Sequence, residues 1–173
     1  MKIIKRLTLF VLLLGIVTAC TTEDCPENPL EKDSKLMFYS TIGSMQTRAT
    51  ATTWEQGDAI GVYALTAGQT LPGGIYNEKA NIKYTTATTD GLFKAANVGI
   101  YFMDPADRLD FVSYYPYKEG IDDYKYPINT ANQSDPASID LLFSDNAKGM
   151  EATQPMVNLN FQHMLSQLVF SIT

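Results

Sequence analysis

From residue 35 onward, apolar and polar positions alternate with a period of two. Leu36, Phe38 and Ser40 alternate with Met37 and Tyr39, then Ile60, Val62 and Ala64 with Gly61 and Tyr63, and later Val157, Leu159 and Phe161 with polar residues. Such alternation turns one face of an extended strand to the core and the other to solvent. A first strand is expected over 35–45. Asp90-Gly91, between Ile82-Lys83-Tyr84 and Leu92-Phe93-Lys94, predicts a tight hairpin, because both residues tolerate positive φ. Leu71-Pro72-Gly73-Gly74, Asp104-Pro105-Ala106-Asp107 and Lys118-Glu119-Gly120 predict further turns. Beyond the first twenty residues, no stretch of a dozen carries an amphipathic helical stripe. About eight short strands separated by turns predict an all-β domain, built as a two-sheet β-sandwich.

The N-terminus follows a different rule. Lys2, Lys5 and Arg6 precede an apolar run from Leu7 to Val17, which is shorter than the ~20 residues that a membrane-spanning helix needs. It reads as an export signal over 1–19. Val17-Thr18-Ala19-Cys20 resembles a bacterial lipobox, which implies that Cys20 carries the lipid. Residues 20–34 are polar, acidic and twice interrupted by proline, so they form a tether rather than part of a core. Glu23-Asp24 resembles the signal that directs some lipoproteins to the outer face of the outer membrane. Cys25 lies in the tether with no basic neighbour to activate it, and is read as a passive thiol.

Charge and composition narrow the chemistry. The chain of 173 residues has a formal charge of -6, and cleavage of the basic signal makes the remainder more acidic. Nothing in it attracts nucleic-acid phosphates. One His and two Cys, one of them lipidated, do not make a Cys/His metal centre. No cofactor-binding glycine loop is present, and a Ser-His-acid triad would have to use His163, which lies in a strand pattern with no nucleophile elbow. No catalytic residue is assigned, and the chain is not read as an enzyme.

Three segments carry a resemblance. They are Trp54-Glu55-Gln56-Gly57-Asp58-Ala59-Ile60-Gly61-Val62-Tyr63, Phe111-Val112-Ser113-Tyr114-Tyr115-Pro116-Tyr117 and Val157-Asn158-Leu159-Asn160-Phe161-Gln162-His163-Met164-Leu165-Ser166-Gln167-Leu168, with Asp140-Leu141-Leu142-Phe143 between the last two. In order and spacing they resemble the N-terminal domain of fimbrillin-like proteins, the subunits of Bacteroides-type pili. The resemblance implies a Greek-key, transthyretin-like sandwich over 35–173, followed by a second domain that this sequence does not include. It implies an adhesive subunit of a surface fimbrium, held at the outer membrane through Cys20. Other pilus subunits are the implied partners, joined by donor-strand exchange, along with host or bacterial receptors. Gln46-Thr47-Arg48-Ala49-Thr50 resembles the position where fimbrillins are cut after an arginine, which implies maturation between Arg48 and Ala49.

The same residues also have plain structural readings. Trp54 caps the core where a strand begins, Gly57-Asp58 supplies a turn, and Gly61 permits a close backbone approach. Tyr114 and Tyr115 fall on opposite faces of one strand, so one of them is expected in the core. The other, with Tyr117, is a candidate aromatic platform for sugar. Tyr115 and Tyr117 are therefore the candidate glycan contacts in an alternative reading, a surface glycan-binding lipoprotein. His163 continues the inward phase of Val157, Leu159 and Phe161 and is expected to be a hydrogen-bonded residue near the core. Leu168, Phe170 and Ile172 take the opposite phase, so a bulge or turn is expected near 163–166.

Overall fold

A computed structural model describes residues 35–43, 53–129, 131 and 139–165. The expectations for Cys20, Cys25, the export signal and tether, Arg48 and Ala49, and the run beyond Leu165 lie outside those residues. Eight strands follow in chain order: β1 (Met37–Ile42), β2 (Ala59–Thr66), β3 (Ile82–Thr86), β4 (Leu92–Ala95), β5 (Arg108–Tyr115), β6 (Leu142–Ser144), β7 (Met150–Glu151) and β8 (Met156–His163). Helix is confined to short 3₁₀ structure, as at Asp122–Tyr124, among the described residues. The all-β class is as the period-two pattern requires.

The strands join in the order β2-β3-β4-β1-β8-β6-β5, and a further β2–β5 pairing closes the ring. The result is one closed, barrel-like sheet of seven strands, in place of the expected two separate sheets. Closure comes from β5, whose residues Leu109 to Tyr114 pair with β2 along one edge. Its other edge is shared by β6 and the short β7. Inward and outward alternation reads the same in a sandwich and a barrel, so the sequence pattern alone does not separate them.

The pairing of β1 is distinctive. It runs parallel to β8 over six residue pairs, from Met37↔Met156 to Ile42↔Phe161, and antiparallel to β4 over two, Phe38↔Phe93 and Tyr39↔Leu92. The first and last strands of the described domain thus lie side by side, and β1 completes the ring between β4 and β8.

Inward positions meet in one core. Leu36, Phe38, Ile60, Val62, Ala64, Tyr84, Phe93, Leu109, Phe111, Val157, Leu159 and Phe161 are essentially inaccessible, and they form one continuous cluster. β8 shows the expected strict alternation to its end and β1 turns its Leu36–Phe38 row inward, whereas β2, expected to keep one face in solvent, is buried on both, Tyr63 and Leu65 included. The β3–β4 hairpin is present, but its loop is longer than a two-residue turn. Residues 87–91 make the connection, and only Gly91 takes positive φ (81°). Asp90 instead accepts hydrogen bonds from the Thr88 hydroxyl and the Leu92 N–H. That side-chain bracket does the work the sequence assigned to a left-handed Asp90.

Candidate functional site

The groove that holds β1 is the candidate site. Period-two alternation sends Leu36, Phe38 and Ser40 inward and leaves Tyr39 and Thr41 exposed. Phe38 makes edge-to-face contacts with Tyr84 (4.8 Å between centroids) and Phe111 (5.2 Å), so it joins the β3 and β5 sides of the core. Contacts of this kind add to the ~1.5–3 kcal/mol of burying the ring itself. Tyr84 lies beneath it with its hydroxyl accepting the Ile100 N–H at 2.8 Å. Burial raises the pKa of Tyr84 to about 12, outweighing that hydrogen bond, which acts the other way.

Backbone bonds outside the ladders fix both ends of the strand. Leu36 N–H donates to Ile100 C=O (2.9 Å), Met37 N–H to Pro155 C=O (3.0 Å) and Gly43 N–H to Phe161 C=O (2.8 Å). Near the Gly43 end of the strand, Trp54 closes the core. Its ring lies edge-on to Phe93, Tyr115 and Phe161 with centroids 5.0–5.4 Å apart, and its indole N–H donates to the Ser40 carbonyl at 3.2 Å. Ser40 in turn donates its N–H (2.9 Å) and its hydroxyl (3.2 Å) to the Gly91 carbonyl. The expected role of Trp54 at the start of a strand is met. Its tie to β1 was not legible, because nothing in the sequence pairs positions 40 and 54.

The tyrosines of β5 divide as the alternation requires. Tyr115 turns inward, against Trp54, and its hydroxyl donates to Asp58 at 3.0 Å. Burial, then the Asp58 carboxylate, holds its pKa well above the usual phenol value. Tyr114 points outward and is nevertheless buried, because residues 116–128 fold over that face. Its ring packs with Tyr63 and Tyr126, while Tyr124 packs on Tyr63. The Tyr114 hydroxyl accepts the Lys118 N–H and has Asn81 Oδ1 at 2.7 Å as an acceptor. A Cβ on Gly61 would stand 2.2 Å from this ring, so the close approach at Gly61 is made by a tyrosine ring rather than by a backbone.

Tyr117 has Lys83 Nζ 5.2 Å from its ring centroid, and its N–H donates to Ala59 C=O. Tyr115 and Tyr117 thus each have a packing partner within the domain. The widely exposed aromatics among the described residues are Tyr39 and Tyr124, neither of which was a candidate glycan contact.

Other chemistry is sparse among the described residues. His163 is buried as expected, with Nδ1 2.9 Å from Asp140 Oδ1, and β8 ends there. No group of three or more His, Cys, Asp or Glu side chains is placed to hold a metal ion. A groove of about 160 Å³ beside Tyr126, Ile128 and Leu141 is small beside the ~300 Å³ at which ligand pockets begin.

Comparison with known proteins converges on one family. A family model described as fimbrillin-like matches residues 47–173. A candidate fimbrium subunit of Bacteroides uniformis, Fim1C, is 36% identical over 173 residues, which is 97% of this chain and 55% of that protein. The chain therefore spans about half the length of this curated relative. Among solved structures, a candidate cell adhesion protein from Bacteroides uniformis superposes with a TM-score of 0.58 at 35% identity, over 76% of this chain and 48% of the other. A second such protein, from Bacteroides ovatus, gives 0.53 at 22% identity over 75% and 52%, a likeness of fold.

Proposed function

This chain belongs to the fimbrillin-like family, and from that premise we propose that it acts as a structural and adhesive subunit of a bacterial surface pilus, assembled by exchange of its first strand. The observation that carries this reading is the place of β1. It is the first described strand, it completes the ring between β4 and β8, and its inward residues enter the centre of the core. Withdrawing it would open the ring and leave unpaired backbone on two strands above an apolar groove, which an extended segment from another subunit can fill.

The processing steps follow the same logic. Cys20 anchors the precursor at the outer membrane, with the acidic tether between lipid and domain. A protease cuts between Arg48 and Ala49, and the fragment carrying the lipid and β1 departs when a neighbour's strand enters. One acyl anchor would be the main source of membrane affinity, so Cys20→Ala should move the protein to the soluble fraction. Continued membrane association of that variant would remove the lipoprotein step.

Maturation is tested by treating wild type and Arg48→Ala with an arginine-specific protease, then reading the new N-terminus and SDS-resistant ladders. A product that begins at Ala49, with ladders only from wild type, is the expected result. Wild-type protein that stays uncut and forms no ladders would overturn the reading, and glycan binding lost on Tyr117→Ala in a variant that still folds would replace it.

A further inference from the structure

We propose that the β1 groove chooses its incoming strand by size at a single position, the one now filled by Ser40, and through that position fixes the strand's direction. This inference rests on the strand-exchange reading above. The occupant is a strand of a second pilus subunit, with apolar residues four and two positions before a residue no larger than serine, and another apolar residue two positions after it. That is the order of Leu36, Phe38, Ser40 and Ile42 in the resident strand.

Backbone pairing does not supply the direction. β8 runs parallel to β1 and β4 antiparallel, so a strand entering either way finds one parallel and one antiparallel neighbour. The side-chain sockets are unequal, however. Leu36 and Phe38 fill large sockets at one end and are 1% and 0% exposed, whereas Ser40 sits nearer the other end, 3% exposed, with its hydroxyl on the Gly91 carbonyl and its main-chain carbonyl taking the Trp54 N–H.

Three observations pin the backbone at Ser40, so that its buried side chain cannot gain room by a shift of the strand. The Gly91 backbone approaches so closely that a Cβ there would lie 2.3 Å from the Ser40 carbonyl oxygen and 3.1 Å from Trp54 Cδ1. The Ser40 N–H and hydroxyl both end on the Gly91 carbonyl, and its own carbonyl takes the Trp54 N–H. The Trp54 ring is itself packed by Phe93, Tyr115 and Phe161, which limits its retreat. A larger residue would therefore enter a filled interior and lose the hydroxyl bond. A strand inserted backwards would set a bulky residue in this buried position and fail for the same reason.

The test uses the whole chain with a site-specific protease sequence replacing residues 46–50. After cleavage, the resident strand is exchanged against a fluorescent peptide of residues 35–43, and competing peptides are ranked by anisotropy. A Ser40→Ala peptide should compete within about fivefold of the native one, since it lacks one hydroxyl bond. A Ser40→Leu peptide should be weaker by about thirtyfold or more, and the reversed sequence should compete no better than the leucine peptide. Equal competition by the native and Ser40→Leu peptides would overturn the size rule while leaving strand exchange standing. Failure of the native peptide itself to enter would overturn strand exchange, and this inference with it.

Discussion

β1 and β5 both lie within the closed sheet with strands on either side, yet they are held in different ways. β5 is covered on both faces. Its inward residues Leu109 and Phe111 are fully buried, and its outward residues Asp110 and Tyr114 are tied to loops. The Asp110 carboxylate accepts the N–H of Gly68 at 3.1 Å and of Gly149 at 2.7 Å, two glycines that turn the chain with positive φ. β1 is covered on one face only. Its outward side chains reach solvent, and it depends on the inward row, the ladders and a few end bonds. The difference separates a strand built into the domain from one whose removal would disturb a single face.

The largest expected effect tests the inward row of β1. Phe38→Ala should destabilise the chain by ~3–5 kcal/mol, because the ring is fully buried between Tyr84 and Phe111. Denaturant unfolding monitored by Trp54 fluorescence would measure it. A loss below ~1 kcal/mol would mean that the β1 face contributes little, and the contrast with β5 would need another basis. Next comes the outer face of β5, where Asp110→Ala strips the acceptor from two turn amides. A cost of ~2–3 kcal/mol is expected, with Asp110→Asn recovering part of it. A near-neutral alanine variant would show that the loops do not need that tie.

The two strands also differ in how much of them was legible in sequence. The alternation of β1 was legible but not which face is buried, because Met37 and Tyr39 are as apolar as Leu36 and Phe38, whereas the inward phase of β8 follows from Val157, Leu159 and Phe161 alone, since alternation is a local property. The covering of Tyr63 and Tyr114 was hidden, because residues 116–128 have no period that marks them as lying on a sheet. Ring closure was hidden too. It depends on β2 meeting β5, Tyr63 opposite Val112, and a pattern confined to each strand does not name its neighbour. In the groove, the constraint at Ser40 needs Trp54 and Gly91 in space. Gly61 was flagged correctly as a point of close approach, while the ring that makes the approach lies 53 positions away, at Tyr114.

Alkaline titration sharpens the same contrast with a smaller effect. Tyr76, Tyr84 and Tyr114 have pKa values raised from 10.0 to about 12, each chiefly by burial. Above pH 10 the unfolded chain gives up these phenolic protons while the folded one keeps them. The unfolded state then binds fewer protons, so stability falls as pH rises from 10 towards 12 and is fully retained below 10. Phenolate absorbance should show Tyr76, Tyr84 and Tyr114 titrating late, together with the loss of near-ultraviolet circular dichroism. Tyr84→Phe should reduce the steepness of the stability loss in that window. An unchanged slope would place the main alkaline sensitivity in the tyrosines packed on the outer face of β2 and β5.

The smallest expected effect is the sharpest test of one-sided covering. Tyr39 is 40% exposed on the outer face of β1, opposite Leu92 on β4 and Asn158 on β8. Threonine keeps the preference for extended backbone while removing the ring, so Tyr39→Thr isolates whatever the outward side chain contributes. The expected change is within ~0.5 kcal/mol, as for an exposed position with no special contact. The matched change on β5, Tyr114→Thr, removes a ring that seals Gly61 and anchors Lys118, and should cost several times more. If the two substitutions prove equally costly, the outer face of β1 is covered in solution, and the strand would then be as firmly built in as β5.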